Sequence, residues 1–321
     1  MVAWLERRQV ALYLTTIAVA AVVGTLLPGA GHLDAAIEPV LAVLLLATFL
    51  GVPFVGIGRS LRDGRFLVAV GVLGFVVVPV VAFLLSRVVA DQPALLVGVL
   101  LVLLAPCIDY VVVFAGLAGG AADRLLAVAP LTMLAQVLLL PLFLLLSAGP
   151  EALAAVRVEP FVRAFLVLIA APMVAAALVQ WWARHRRAGV LVERAAAGAM
   201  VPLLMATLFA VVASQVRTVG GSVPGLLTVA AVFVAFVVVM VPLGIAAGRL
   251  ARLDVPGTRA LVFSGVTRNS LVVLPIALAL PPPLSSAPVV VVTQTLVELV
   301  AVVVLVRLVP RFVPDRGTAA T

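Results

Sequence analysis

Read from its N-terminus, the chain alternates long apolar runs with short polar joints. It does not show the one-sided stripes of helices that float on a soluble core. Ten runs stand out, at roughly 9–27, 37–57, 66–86, 94–118, 125–147, 161–182, 196–216, 224–248, 258–280 and 287–308. Each is close to the roughly 20 residues that a helix needs to cross a hydrocarbon core. The pattern predicts an all-α polytopic membrane protein, with one integral domain over residues 1–321. The first run follows a basic start, as in a signal peptide, but it is too long for the apolar part of one and is expected to stay as the first helix.

The runs also repeat. "LLLAT" at 44–48 returns as "LLMAT" at 203–207, and "FVVVPV" from Phe75 returns as "FVVVMVP" from Phe236. Ala129-Pro130 with Gln136 six residues past the proline returns as Ala287-Pro288 with Gln294 six residues past its proline. The offsets are 159, 161 and 158, close to half the chain. Two halves, 1–150 and 151–321, are therefore expected to hold five helices each. An odd number inverts the second half in the membrane, an arrangement that secondary transporters use to place a site near the midplane.

Composition agrees with that reading. Hydrophobic residues make up 65% of the chain and charged ones 11%, with a mean hydropathy of +1.35. Such a chain cannot coat a water-soluble surface. All 21 cations are arginine. With the N-terminus inside, sixteen fall in cytoplasmic segments, four on the opposite face, and Arg268 inside a run. That bias puts both termini in the cytoplasm, and a bacterial plasma membrane is the expected location. It also explains the net charge of +8 without nucleic acid as a partner. The single cysteine, Cys107, excludes an internal disulfide. His32 and His185 lie in joints, no nucleotide or hydrolase motif is present, and neither an enzyme nor a bound cofactor is expected.

The polar residues that do enter the runs gather in two places. The fourth run contains Pro106-Cys107-Ile108-Asp109-Tyr110, where the proline removes an amide hydrogen and should open the helix near 102–106. The ninth contains Ser264-Gly265-Val266-Thr267-Arg268-Asn269-Ser270 and has no proline at the corresponding point. Backbone freed at such depth is tolerated only against protein or water. Asp109, Arg268 and Glu298 are the formally charged side chains near mid-depth, each costing about 2.5–3.5 kcal/mol or more on a lipid face. Asp109 and Arg268 correspond in the two halves and are expected to pair. Glu298 has no partner evident in the sequence; it follows Gln294 by one helical turn and suits reversible protonation, and Gln294 and its repeat counterpart Gln136 are grouped with it as proton-coupling residues. Cys107 beside polar groups offers a soft ligand to a thiophilic substrate, although a free cysteine is as often a small buried hydrophobe.

The segments "APCIDYVVVFAGLAGG", "APLTMLAQ", "SGVTRNSLVVLPIALALP" and "TQTLVELV" resemble the arsenite-efflux permeases of the bile acid:sodium symporter superfamily over essentially the whole chain. The resemblance implies ten helices in two inverted five-helix repeats, with discontinuous fourth and ninth helices that cross. It implies that Cys107 binds a trivalent metalloid, that Glu298 couples transport to protons, and that arsenite, with antimonite, is expelled by antiport. Asp109, Tyr110, Thr267, Arg268, Asn269 and Ser270 complete the expected substrate site. The chain departs from that pattern at Pro106, where an arginine is usual, at Phe114-Ala115 for a tryptophan–asparagine pair, and at Arg268-Asn269 for two asparagines. The sodium-coupled branch usually has an acidic residue at the second crossover, so protons are expected before sodium. The alternative is a transporter of a small organic anion with Arg268 as its counter-charge; a non-transporting sensor on the same fold is a third reading. Oligomeric state cannot be read from the sequence.

Overall fold

The computed structural model describes residues 2–27, 33–51, 63–107, 110–154, 166–219 and 223–314. These residues are helical nearly throughout and include no strand. The helices are α1 (Val2–Leu26), α2 (Asp34–Gly51), α3 (Gly64–Val89, with a π turn at Leu73–Val77), α4 (Pro93–Leu103), α5 (Tyr110–Leu117), α6 (Ala122–Ala154), α7 (Ala171–Ala183, after a π turn at Leu166–Ala170), α8 (Arg187–Val219), α9 (Val223–Leu250), α10 (Val255–Val266), α11 (Ser270–Leu278) and α12 (Ala287–Phe312).

Where its residues are described, each apolar run of the sequence falls on one of these helices or, for the fourth and ninth, on a pair with a gap between them: α4 with α5, and α10 with α11. Among the described residues, four helices could span a bilayer by length and composition: Gly64–Val89, Arg187–Ser214, Pro224–Leu250 and Pro282–Phe312. A fifth is α6, if its two parts, bent by 46° between Ala129 and Leu131, form one span. The bend sits at Pro130, whereas its counterpart Pro288 stands in the first turn of α12, where no helical amide hydrogen is needed. Helix α6 runs on to Ala154, which carries the expected 150/151 junction into its last turn.

Packing sorts the helices into two groups. One is α1, α2, α7 and α8, in which α8 lies against both α1 and α2. The other is α3 to α6 with α9 to α12, in which α9 packs on α10 and α12 packs on α4, α9 and α11. Contacts between the groups are few, chiefly α11 with α2 and α8 with α12. The approach of α4 to α12 needs Gly98: a Cβ there would stand 2.8 Å from Val290 Cβ and 3.2 Å from Ala287 Cα.

At the end where α3, α6 and α10 begin, one arginine ties three helices together. Asp63 caps α3 by accepting from Phe66 N–H (3.2 Å), and Asp254 caps α10 by accepting from Gly257 N–H (3.1 Å). Arg124, at the start of α6, reaches both: a bidentate contact with Asp254 (2.7 and 2.9 Å) and a longer one to Asp63 (3.4 Å). Partial burial disfavours the Asp254 carboxylate, but the hydrogen bonds and charge of Arg124, with the Gly257 amide, outweigh it and hold the group below its ordinary range. The same contact, its hydrogen bond foremost, raises the Arg124 guanidinium.

Because the Asp254 carboxyl titrates lower when folded, its stabilisation is present at neutral pH and lost as pH falls through the folded value. Asp254→Asn keeps the helix cap and removes the charge. The variant should melt lower than the parent at neutral pH, by about 1 kcal/mol or less because the pair is half exposed. That difference should vanish below the ordinary carboxylate range. Thermal unfolding in detergent across this window checks it; a difference that stays constant in acid would refute the ionic origin.

Candidate functional site

Two broken helices cross at the centre of the second helix group. Helix α4 stops at Leu103 and α10 stops at Val266. The segments that follow run antiparallel and pair as strands would, with Pro106 opposite Arg268. Asn269 N–H donates to Ala105 O (2.7 Å), and Cys107 N–H donates to Thr267 O (3.4 Å). Pro106 cannot donate, and it occupies the position in this pairing where no amide hydrogen is required.

The crossing leaves the C-terminal ends of α4 and α10 facing one another, each with carbonyl groups that lack a helical partner. Both are negative ends of helix dipoles, so a cation between them is favoured. Arg268 supplies it. Its guanidinium donates to Leu103 O (3.3 Å) at the end of α4, and to Ser264 O (2.7 Å) and Gly265 O (2.8 Å) in the last turn of α10. The side chain is 0% exposed, and its charged carbon lies 5.5 Å from the centre of the Phe236 ring of α9.

Glu298, 2% exposed on α12, completes the arrangement. Its carboxylate accepts from the backbone N–H of Arg268 (2.7 Å) and from Gln294 Nε2, one turn earlier on the same helix. The expectation that Gln294 stands beside Glu298 therefore holds. The other partner of Glu298, the Arg268 main-chain amide, is one that no residue type announces. Asn269 caps α11, its Oδ1 accepting from Val272 N–H (3.2 Å), and Thr267 Oγ1 donates to Phe263 O (2.8 Å).

The structure thus brings Cys107, Thr267, Arg268, Asn269, Ser270, Gln294 and Glu298 to one buried crossing. Cys107 is 6% exposed. Gln136 is buried on α6, and no hydrogen bond among the described residues joins it to this group. Tyr110 is the first residue of α5. Asp109 lies outside the described residues, as do Arg59, Arg62, Arg157 and Arg163 from the joints, so the expected Asp109–Arg268 pair falls there too.

Several polar atoms at the crossing retain unmet hydrogen-bonding capacity. Asn269 Nδ2, Ser270 Oγ and Gln294 Oε1 are buried and have no hydrogen-bond partner among the described residues, and the same is true of Gln136 Oε1. Buried polar atoms are nearly always satisfied by protein, water or ligand. At the crossing the set is an amide donor, an amide acceptor and a hydroxyl that can do either, which suits a small neutral ligand with several hydroxyl groups.

A residue that the sequence pattern assigned to a cytoplasmic joint also proves to be buried. Arg259 lies in the second turn of α10, donating to Val313 O just past α12 (3.0 Å) and to Gly119 O just past α5 (3.4 Å). Gly119 has φ +69° and has no room for a side chain, since a Cβ would stand 2.6 Å from the Arg259 guanidinium.

A cavity of about 1050 Å³ lies elsewhere. It sits between α9 and α12, is lined by Val234, Val238, Ile245, Leu296, Val304 and other apolar residues, and has Arg249 as its charged lining group. None of the crossing residues lines it. The polar side chains named above stand at the crossing, away from this cavity.

A family model described as the Sodium Bile acid symporter family matches residues 38–222. The match takes in the first break, with Cys107, and Gln136; Arg268, Gln294 and Glu298 lie beyond it. No curated protein matches the chain.

The Asn269 cap gives a direct check on the second break. Asn269→Ala should destabilise the protein by roughly 1–2 kcal/mol, and Asn269→Ser, which keeps a cap acceptor, by less than half as much. Thermal unfolding of the purified variants measures both. An alanine variant as stable as the parent would remove the cap from the account.

Proposed function

Because the chain belongs to the sodium bile acid symporter family, we propose that it is a proton-coupled secondary transporter that expels arsenite, and with it antimonite, across a bacterial plasma membrane. It is a multi-pass membrane protein of a transporter family, working on a small substrate in a lipid environment. The observation that carries the finer reading is the buried thiol of Cys107 at a crossing whose side chains hold donors and acceptors with no partner among the described residues.

Arsenite at neutral pH is the uncharged As(OH)3, whose three hydroxyls each donate and accept. Asn269 Nδ2, Ser270 Oγ and Gln294 Oε1 offer the complementary groups, and trivalent arsenic is soft enough to favour sulfur. Attack by Cys107 Sγ would form one S–As bond and release one water; hydrolysis would reverse it, returning the thiol and As(OH)3. With one sulfur there is no chelate, so the bond stays exchangeable.

Glu298 is the proton carrier in this scheme. It contacts the backbone of the second break through the Arg268 amide and contacts Gln294, so gain or loss of its proton changes the bonding at the substrate site itself. The sparse contacts between the two helix groups allow one to move against the other, giving access from either side in turn. In this scheme the two halves form an inverted repeat of five helices each, with both termini in the cytoplasm.

A second reading rests on the α9–α12 cavity, whose apolar walls and single arginine, Arg249, would suit an amphipathic organic anion. Arg268 is less suited to meet such an anion, since its guanidinium is directed at three backbone carbonyls.

In cells stripped of their own arsenite exporters, the protein should restore growth on arsenite. Cys107→Ala and Glu298→Gln should each reduce resistance to that of the empty vector while the protein remains in the membrane. Full resistance with both replacements would refute the mechanism. If no resistance appears, but uptake of labelled organic acids does and is lost with Arg249→Ala, the second reading replaces the first.

A further inference from the structure

Transporters built from broken helices commonly hold a coupling cation with the carbonyl groups of half-helix C-terminal ends and of the unwound backbone beside them. The corresponding atoms here are Leu103 O at the end of α4 and Ser264 O and Gly265 O at the end of α10. All three accept from one guanidinium, that of Arg268. A carboxylate, Glu298, bonds to the backbone of the same residue.

We propose that the Arg268 guanidinium is a tethered substitute for a coupling sodium ion, so that the protein binds no sodium at its crossing and acquires a sodium site when this side chain is removed. The inference deepens the proton-coupled reading and rests on it for the use of protons alone; it does not depend on the cargo being arsenite.

The chemistry follows from what each cation can offer. Sodium is a compact single charge that takes oxygen ligands. A guanidinium carries the same single charge, always ionised, and presents its donors in a rigid fork. It can therefore satisfy carbonyls from two helices at once without a diffusible ion. The exchange has a consequence. A sodium ion that binds and leaves couples transport to its gradient, whereas a cation fixed to the chain neutralises the same helix ends permanently and couples to nothing. Coupling then passes to the carboxylate bonded to the same backbone, Glu298, and to protons.

Removing the side chain should leave a cage of three carbonyl oxygens facing the negative ends of two helix dipoles. Arg268→Lys, by contrast, keeps a tethered charge. A second feature of the chain uses the same device without any transport role. Arg259 neutralises the C-terminal ends of α5 and α12 through Gly119 O and Val313 O. It serves as an internal control: a buried arginine at helix ends, but on the carbonyls of closed loops and away from Glu298.

The test compares the thermal unfolding of purified protein in sodium chloride and in choline chloride at equal ionic strength, for the parent, Arg268→Ala, Arg268→Lys and Arg259→Ala. Arg268→Ala should melt about 3 °C or more higher in sodium than in choline, as expected when an ion binds only the folded state. The other three proteins should shift by less than about 1 °C. If Arg268→Ala can be recovered folded in sodium but not in choline, that also supports the proposal. Recovery in neither, a folded Arg268→Ala that ignores sodium, an equal sodium response from Arg259→Ala, or a parent stabilised by sodium would each overturn it. No cargo is present in the assay. A failed resistance experiment alongside the expected sodium pattern would therefore reject only the arsenite reading, and a sodium-stabilised parent would reject only this inference.

Discussion

A helix broken inside a hydrocarbon layer must find partners for the backbone groups it releases, because lipid offers none. This protein breaks two. The cost of an orphaned buried carbonyl is about 1–3 kcal/mol, and two helix ends expose several. The solution is mutual: the unwound segments after α4 and α10 pair through Asn269 to Ala105 and Cys107 to Thr267, and Arg268 gathers the carbonyls that this pairing leaves over. Everything proposed about function depends on this crossing being formed, since it is what places a thiol, a carboxylate and several unsatisfied amides in one buried spot.

The same electrostatic rule recurs across the second helix group. Arginine stands at the C-terminal ends of helices, where Arg259 serves α5 and α12 as Arg268 serves α4 and α10. Aspartate stands at the N-terminal ends, where Asp63 and Asp254 cap α3 and α10 and are joined by Arg124. The buried cations Arg259 and Arg268 are thus both assigned to helix ends, while Glu298 stands inside α12. The α1, α2, α7 and α8 group has far fewer contacts with this assembly than either group has within itself, which is the arrangement that relative motion requires.

Much of this was legible in the sequence. Pro106 announced the first break and the polar run 264–270 the second, because a proline and a cluster of small polar residues are local signals. The i, i+4 spacing placed Gln294 beside Glu298. Partners supplied by the main chain were not legible. Nothing in residue identity says that Glu298 accepts the Arg268 amide, or that the Arg268 guanidinium reaches Leu103 O, a residue 165 positions away. The role of Arg259 was hidden for a related reason: the sequence counts it among the cytoplasmic arginines, and only its target carbonyls reveal it as buried. Family membership identifies a transporter but is silent on cargo, and the match stops before the second break.

The crossing itself can be tested with the chain's single native thiol. Thr267 lies opposite Cys107 in the antiparallel pairing. Directly opposed residues in such a pair have Cα atoms about 5.5 Å apart, within the roughly 4.4–6.8 Å that a disulfide spans. The measurement is oxidative cross-linking of the Thr267→Cys variant in native membranes, read by mass spectrometry of the proteolytic fragments. If the broken helices cross as described, most of the protein should carry one internal disulfide between positions 107 and 267. If both thiols remain open to alkylation under oxidant that fully closes a control pair, the helices do not meet there and the account fails.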